Sequence, residues 1–258
     1  MNMGKMPVLF VGHGSPQYVI EENNKYTQGF RDIEKSIPRP KSILIVSAHW
    51  EKMRNTVMNN ENPPTIHDFY GFPKALYEIS YPAEGDTALA EKVKEMLPGE
   101  TVFDSQYGLD HGSWAALLFM YPEHDIPVCQ LSINRGVDLQ GMYEIGRALS
   151  ILRDEGVLII GSGNIVHNLR LVNFSMEEGY SWAQEFDNYI YENIKNKNID
   201  NIINYKNAGE SSSKAFTTIE HFAPLIYVLG AGDQYAEFTV FNKSCTMGSM
   251  SMTSYLFE

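Results

Sequence analysis

Thiols, positive charge and long apolar runs are all scarce in this chain, and each scarcity argues against a class of function. Only two cysteines occur, Cys129 in the apolar run IPVCQLSI and Cys245 near the C-terminus, and neither belongs to a CxxC or has a cysteine close to it in sequence. That argues against a disulfide scaffold, a thiolate zinc finger or a redox dithiol, and both are read as small buried hydrophobes. Lys and Arg total 20 against 32 Asp and Glu, a net charge of −12, and no basic run occurs anywhere. Nucleic acids and anionic membranes are bound through clustered Lys and Arg, so neither is an expected partner. The opening MNMGKMPVLFVGHG has no apolar stretch longer than residues 6–11, too short for a signal h-region or a membrane span. A cytoplasmic protein is the expectation. The GxSxG elbow of serine hydrolases is missing too, because GHGSP puts Pro16 directly after Ser15.

What is present is a globular composition: 258 residues, 43% hydrophobic and 20% charged. A chain of this length buries roughly 70–75% of its unfolded surface without staples. One domain over residues 1–258 is the expectation. Short apolar runs at 6–11, 42–46, 126–133 and 157–160 alternate with amphipathic stretches at 26–37, 86–97, 138–153 and 182–194. Further helices are read at 112–121 and 220–229, and final strands at 238–241 and 247–255. Strand–helix alternation at this spacing predicts an α/β fold, with a mixed but mostly parallel central sheet and helices on both faces. Residues 62–73, rich in Pro, Gly, Asn and Asp, read as loop. The polar segment 204–218 also reads as loop, a surface excursion or a lid.

Six of the seven histidines stand beside turn-forming residues where an element ends or begins. His13 (GHGSP), His49 (SAHW) and His167 (GSGNIVHNL) each follow a predicted strand. His111 (LDHGSW) and His221 (EHFAPL) head helices, and His67 lies in the loop TIHDFYGFP. His124, in YPEHDIP, reads as an ordinary surface turn residue. Ligand crevices of open α/β sheets lie beyond the carboxyl ends of strands, so side chains distant in sequence converge there. Neutral imidazole suits zinc, iron, copper and nickel, and ligands drawn from separate segments favour an open catalytic site over a closed structural one. Composition alone does not choose between hydrolytic zinc and oxidative iron. A non-catalytic binding protein on the same frame is a third reading, disfavoured by the additional histidines His111 and His167. Trp50 and Trp114 flank site histidines and either wall an aromatic substrate or pack in the core; His67 either touches substrate or bonds within its loop.

Taken together, GHGSP (12–16), SAHW (47–50), PPTIHDFYGFP (63–73), DHGSW (110–114), GSGNIVHNL (161–169) and EHFAPL (220–225) resemble the LigB-type, class III extradiol ring-cleavage dioxygenases, and within them the 4,5-DOPA dioxygenase branch. The resemblance implies that His13 and His49 hold a metal, with His221 as third ligand and Glu220 as the alternative. It implies an acid/base role for His111, oriented by Asp110, and a pocket role for His167 that can extend to the metal. It further implies non-haem Fe(II) for activity, Zn(II) in purified or crystallised protein, and a small catechol and O2 as reactants. A neutral histidine beside the site suits this chemistry, because a catechol must lose protons to chelate and an imidazole with pKa about 6.5 can accept one.

Overall fold

The computed structural model describes residues 5–97, 99–232 and 237–258. Ten strands are present among them: β1 (Val8–Gly12), β2 (Ser42–Lys52), β3 (Asn55–Met58), β4 (Thr101–Asp104), β5 (Val128–Asn134), β6 (Val157–Gly163), β7 (Phe238–Phe241), β8 (Cys245–Thr246), β9 (Met250–Ser251) and β10 (Ser254–Phe257). The α-helices are α1 (Lys25–Glu34), α2 (Lys74–Tyr77), α3 (Thr87–Met96), α4 (His111–Met120), α5 (Leu139–Leu149), α6 (Ser181–Lys195), α7 (Ile199–Ile203), α8 (Glu210–Ala215) and α9 (Ala223–Ala231).

Eight strands form one sheet in the order β4-β3-β5-β2-β6-β1-β10-β7. The central four, β5, β2, β6 and β1, run parallel. β3 is antiparallel to β5 on one side; on the other, β10 is antiparallel to β1 and β7 is antiparallel to β10. The sheet is therefore α/β, mixed and mostly parallel. Its central strands read as unbroken apolar runs because both faces are covered. Alternate residues divide between the two faces. Val8, Phe10, Leu44, Val46 and Ile159 join one core, with Met142, Ile145 and Leu149 of α5, Leu225, Ile226 and Leu229 of α9, and Phe186 and Ile190 of α6. Leu9, Val11, Ile43, Ile45, Leu158 and Ile160 join the other, with Phe30 and Ile33 of α1 and Trp114 and Leu117 of α4. Aspartates start three helices by accepting backbone N–H groups: Asp86 from Leu89 at 2.8 Å, Asp110 from Ser113 at 3.1 Å and Asp138 from Gly141 at 2.9 Å.

Several expectations are corrected. β2 does not stop at Val46 but continues to Lys52, so His49 lies within a strand. Its ladder with β5 breaks between Val46 and Glu51. An irregularity of this kind re-aims a side chain out of the ladder, and His49 sits in it. Segment 204–218 is not a loop: it holds a short 3-10 turn (Tyr205–Ala208) and α8, whose Ser211, Ser212 and Ala215 are buried. The run at 247–255 divides between the β8–β9 pair and β10. His221 precedes α9, which starts at Ala223.

Two glycines set the spacing of the site. A Cβ on Gly163, at the end of β6, would lie 2.1 Å from the carbonyl oxygen of His221, and one on Gly112 would lie 2.5 Å from Ser47 Oγ. Only glycine lets these segments approach so closely.

Candidate metal centre

Five histidines converge at one end of the central strands, four from beyond strand ends or from helix starts and His49 from within β2. His13 follows β1, and its N–H donates to the Gly163 carbonyl at 3.2 Å. The Asn164 N–H donates to the His221 carbonyl at 2.8 Å, tying the end of β6 to the turn before α9. Ring centroids stand 5.1 Å apart for His13 and His49, 5.4 Å for His13 and His221, and 5.1 Å for His49 and His221. His111 lies 4.0 Å from His49, and His167 stacks flat on His221 at 3.5 Å.

The hydrogen bonds decide which nitrogen of each ring is bare. The Ser162 hydroxyl gives its one proton to the Gly112 carbonyl, so its oxygen accepts from His13 Nδ1–H at 3.0 Å. Glu220 Oε1 accepts from His221 Nδ1–H at 3.2 Å, and Asp68 Oδ2 accepts from His49 Nδ1–H at 3.0 Å. A carboxylate accepts and does not donate. All three Nε2 atoms are thereby left with lone pairs. The Nε2 atoms of His13 and His49 face each other at 3.2 Å, and His221 Nε2 is buried with no partner among the described residues. One donor atom each from His13, His49 and His221 lie within 4.8 Å of one another. Buried lone pairs turned on one another are costly unless a cation or a proton sits among them, and three imidazole nitrogens suit a transition-metal ion.

Electrostatics follow from the crowding. Burial, then the neighbouring imidazoles, hold His13 and His221 well below the usual histidine range. Burial and His49 lower His111, and the same causes bring His167 down to about 4. His49 is the exception: burial opposes its charge, but the Asp68 hydrogen bond and the nearby Asp110 and Glu220 raise it. Burial likewise opposes the charge on Asp68, and the hydrogen bonds from His111 and His49 overcome it, leaving the carboxyl far below its ordinary value.

A profile described as the catalytic LigB subunit of aromatic ring-opening dioxygenase matches residues 7–258. The chain belongs to the LigB family. The most similar LigB relatives include a 4,5-DOPA dioxygenase extradiol of Escherichia coli K12, 43% identical over 98% of this chain and 95% of the relative. The 4,5-DOPA dioxygenase extradiol of Beta vulgaris is 36% identical over 96% and 95%. A crystal structure of an uncharacterized protein from Escherichia coli K12 superposes with TM-score 0.86 at 37% identity, over 98% of this chain and all of that one. As a LigB protein the chain is a metal-dependent ring-opening oxidoreductase, and the histidine cluster is where such a metal fits.

Of the residues singled out from sequence, His13, His49 and His221 share one cluster, and His111 and His167 flank it. His167 groups with Glu220 and His221 instead of with His13 and His49. Glu220 lies behind His221 as a hydrogen-bond partner. Asp110 does not orient His111. Its buried carboxylate accepts from Ser47 Oγ at 2.6 Å, Gln130 Nε2 at 2.6 Å and Tyr107 OH at 3.1 Å, and so braces the strand beneath His49. Asp68 takes the place expected of Asp110, bonding His111 Nδ1 at 2.9 Å. Trp50 and Trp114 are core: Trp50 stacks on Tyr107 at 4.1 Å, and Trp114 donates to the Ile66 carbonyl at 2.9 Å. Half-buried Phe69 supplies an aromatic edge to His111 at 5.5 Å. His67 bonds the Ile79 carbonyl at 3.0 Å, on the far side of α2. Ser15 caps a turn, and His124 packs edge-on against Tyr81. Both cysteines are free and buried. Among the described residues no helix is long and apolar enough to cross a membrane.

Proposed function

We propose that this chain uses non-haem Fe(II) to open the ring of a small, DOPA-like catechol with O2, breaking the carbon–carbon bond beside a hydroxyl and giving a semialdehyde. The reading rests above all on three bare imidazole nitrogens, of His13, His49 and His221, turned toward one another beside a fourth imidazole held by a carboxylate. Those three residues would hold the metal. A ferrous ion supplies a route for electron density from catechol to dioxygen, which redox-inert zinc lacks. Zn(II) suits the same nitrogens and is the expected ion after purification without added iron.

The remaining residues handle protons and position. His111 carries its proton on Nδ1, toward Asp68, so Nε2 is free to take a proton from a catechol hydroxyl and return it to the departing oxygen. His167, kept neutral at physiological pH, offers a second ring against His221 for contact with substrate. Phe69 closes one side with an aromatic edge. One catalytic domain over residues 1–258 is part of this proposal, supported by a single large sheet with a core on each face.

The deciding experiment is oxygen uptake by metal-free protein reloaded anaerobically with Fe(II), then given L-DOPA and simpler catechols, with a Zn(II)-loaded sample alongside. Uptake and a yellow ring-opened product in the iron sample alone are expected. Full iron occupancy without uptake on any catechol would overturn the proposal, and hydrolysis by the zinc sample would replace it.

A further inference from the structure

One carboxylate meets two imidazoles of the site. Asp68 Oδ1 lies 2.9 Å from His111 Nδ1 and accepts the His111 backbone N–H at 2.9 Å; its Oδ2 lies 3.0 Å from His49 Nδ1. The aspartate sits on a loop, but not a loose one. Ile66 N–H donates to the Leu109 carbonyl at 2.7 Å, and the Trp114 indole to the Ile66 carbonyl at 2.9 Å, so the loop is tied to the residues around the start of α4. The Asp68 side chain is about a quarter exposed (24%), so its bonds to two histidines are not forced by burial alone.

We infer that Asp68 is a positioning residue that sets the tautomer of a metal ligand and of the proposed acid/base histidine together. Its two oxygens accept and never donate, so both rings hold their proton on Nδ1. His49 then turns a lone pair toward His13, and His111 turns one toward substrate. Metal loading and proton transfer depend on the same side chain. The inference rests on the metal reading above.

Asparagine has nearly the same shape but one oxygen and one NH2. Asp68→Asn can accept from one ring only and must offer N–H to the other. That second imidazole is driven to the opposite tautomer, with its proton where the metal or the catechol should be. Long-range 1H–15N spectra of histidine-labelled, metal-free protein at mildly alkaline pH read this directly. In wild type, His49 and His111 are both expected to be protonated on Nδ1, and in Asp68→Asn at least one moves to Nε2. Chelator competition with Zn(II) and with Fe(II) should show affinity lower by about 10–100-fold in Asp68→Asn. Asp68→Glu keeps two accepting oxygens; it should retain both tautomers, and it carries the test should Asp68→Asn not fold. Unchanged tautomers with unchanged affinity in Asp68→Asn would overturn the inference. Should wild type bind no ion, or His13→Ala bind as well as wild type, the metal reading fails instead, and the metal-free spectra still decide the role of Asp68.

Discussion

A neutral imidazole offers a lone pair from one ring nitrogen only, and the partner of the other nitrogen chooses which. In this site Ser162, Glu220 and Asp68 make the choice for His13, His221 and His49. Asp68 makes it for the flanking His111 as well, and single substitutions should separate the roles. His111→Ala, like wild type, is expected to bind one iron per chain, while losing about 10²–10⁴-fold in turnover, the usual worth of a positioned acid/base group; iron titration beside oxygen-electrode rates checks both halves. Phe69→Ala removes the aromatic edge facing His111 without touching a ligand. Its expected signature is a higher KM for catechols with kcat little changed, seen in initial rates at saturating oxygen. The histidines stood out in sequence because they lie beside turn-forming residues where elements end or begin; the roles proposed for them came from the family resemblance. Asp68 did not stand out, because nothing in TIHDFYGFP distinguishes an aspartate that reaches two distant rings from one that faces water.

At the scale of elements, the parallel strands β1, β2, β5 and β6 were legible as continuous apolar runs, since they are buried on both faces. β3 (NTVM) and β4 (TVFD) were missed: four residues are too few to show a period, and each mixes polar with apolar side chains. α8 was missed because it buries serines, whose hydroxyls bond back to carbonyls of Ala208 and Gly209 and so cost little inside. The aspartates that begin helices differ in what they carry. Asp86→Ala removes one cap bond of α3 and should lower stability by about 1 kcal/mol. Asp110→Ala strands the buried donors of Ser47 and Gln130 and the partly buried Tyr107 hydroxyl as well, and about 3 kcal/mol or more should be lost. Urea unfolding of the two variants compares them, and only Asp110→Ala should also weaken metal retention, because Ser47 accepts the His49 backbone N–H at 3.2 Å.

For the whole molecule, crowding the imidazoles makes the metal-free protein sensitive to acid. His13, His111, His167 and His221 have lowered values when folded. In the unfolded chain they titrate near 6.5. As pH falls below that point the unfolded state takes up protons that the folded state refuses, so stability declines, and for His167 the decline continues down to about 4. His49 is raised and works the other way, its stabilising contribution present in acid and lost as pH rises through its folded value. Four lowered groups outweigh one raised group. Chelator-treated protein should therefore have a lower urea midpoint at pH 5.5 than at pH 7.5, and bound metal should narrow the gap by holding the lone pairs in use. A midpoint that stays level between the two would mean the rings are not buried together.

β1 is flanked by β6 and β10, so its first neighbour begins at Val157 and its second at Ser254. On the ribosome, at about 5–20 residues per second, a strand completed at Gly12 waits on the order of 10 s for one partner and longer for the other. Throughout that interval an apolar ribbon with two open edges trails from the exit tunnel. Nascent chains stalled before residue 157 should be held by chaperones, and release should track the emergence of β6.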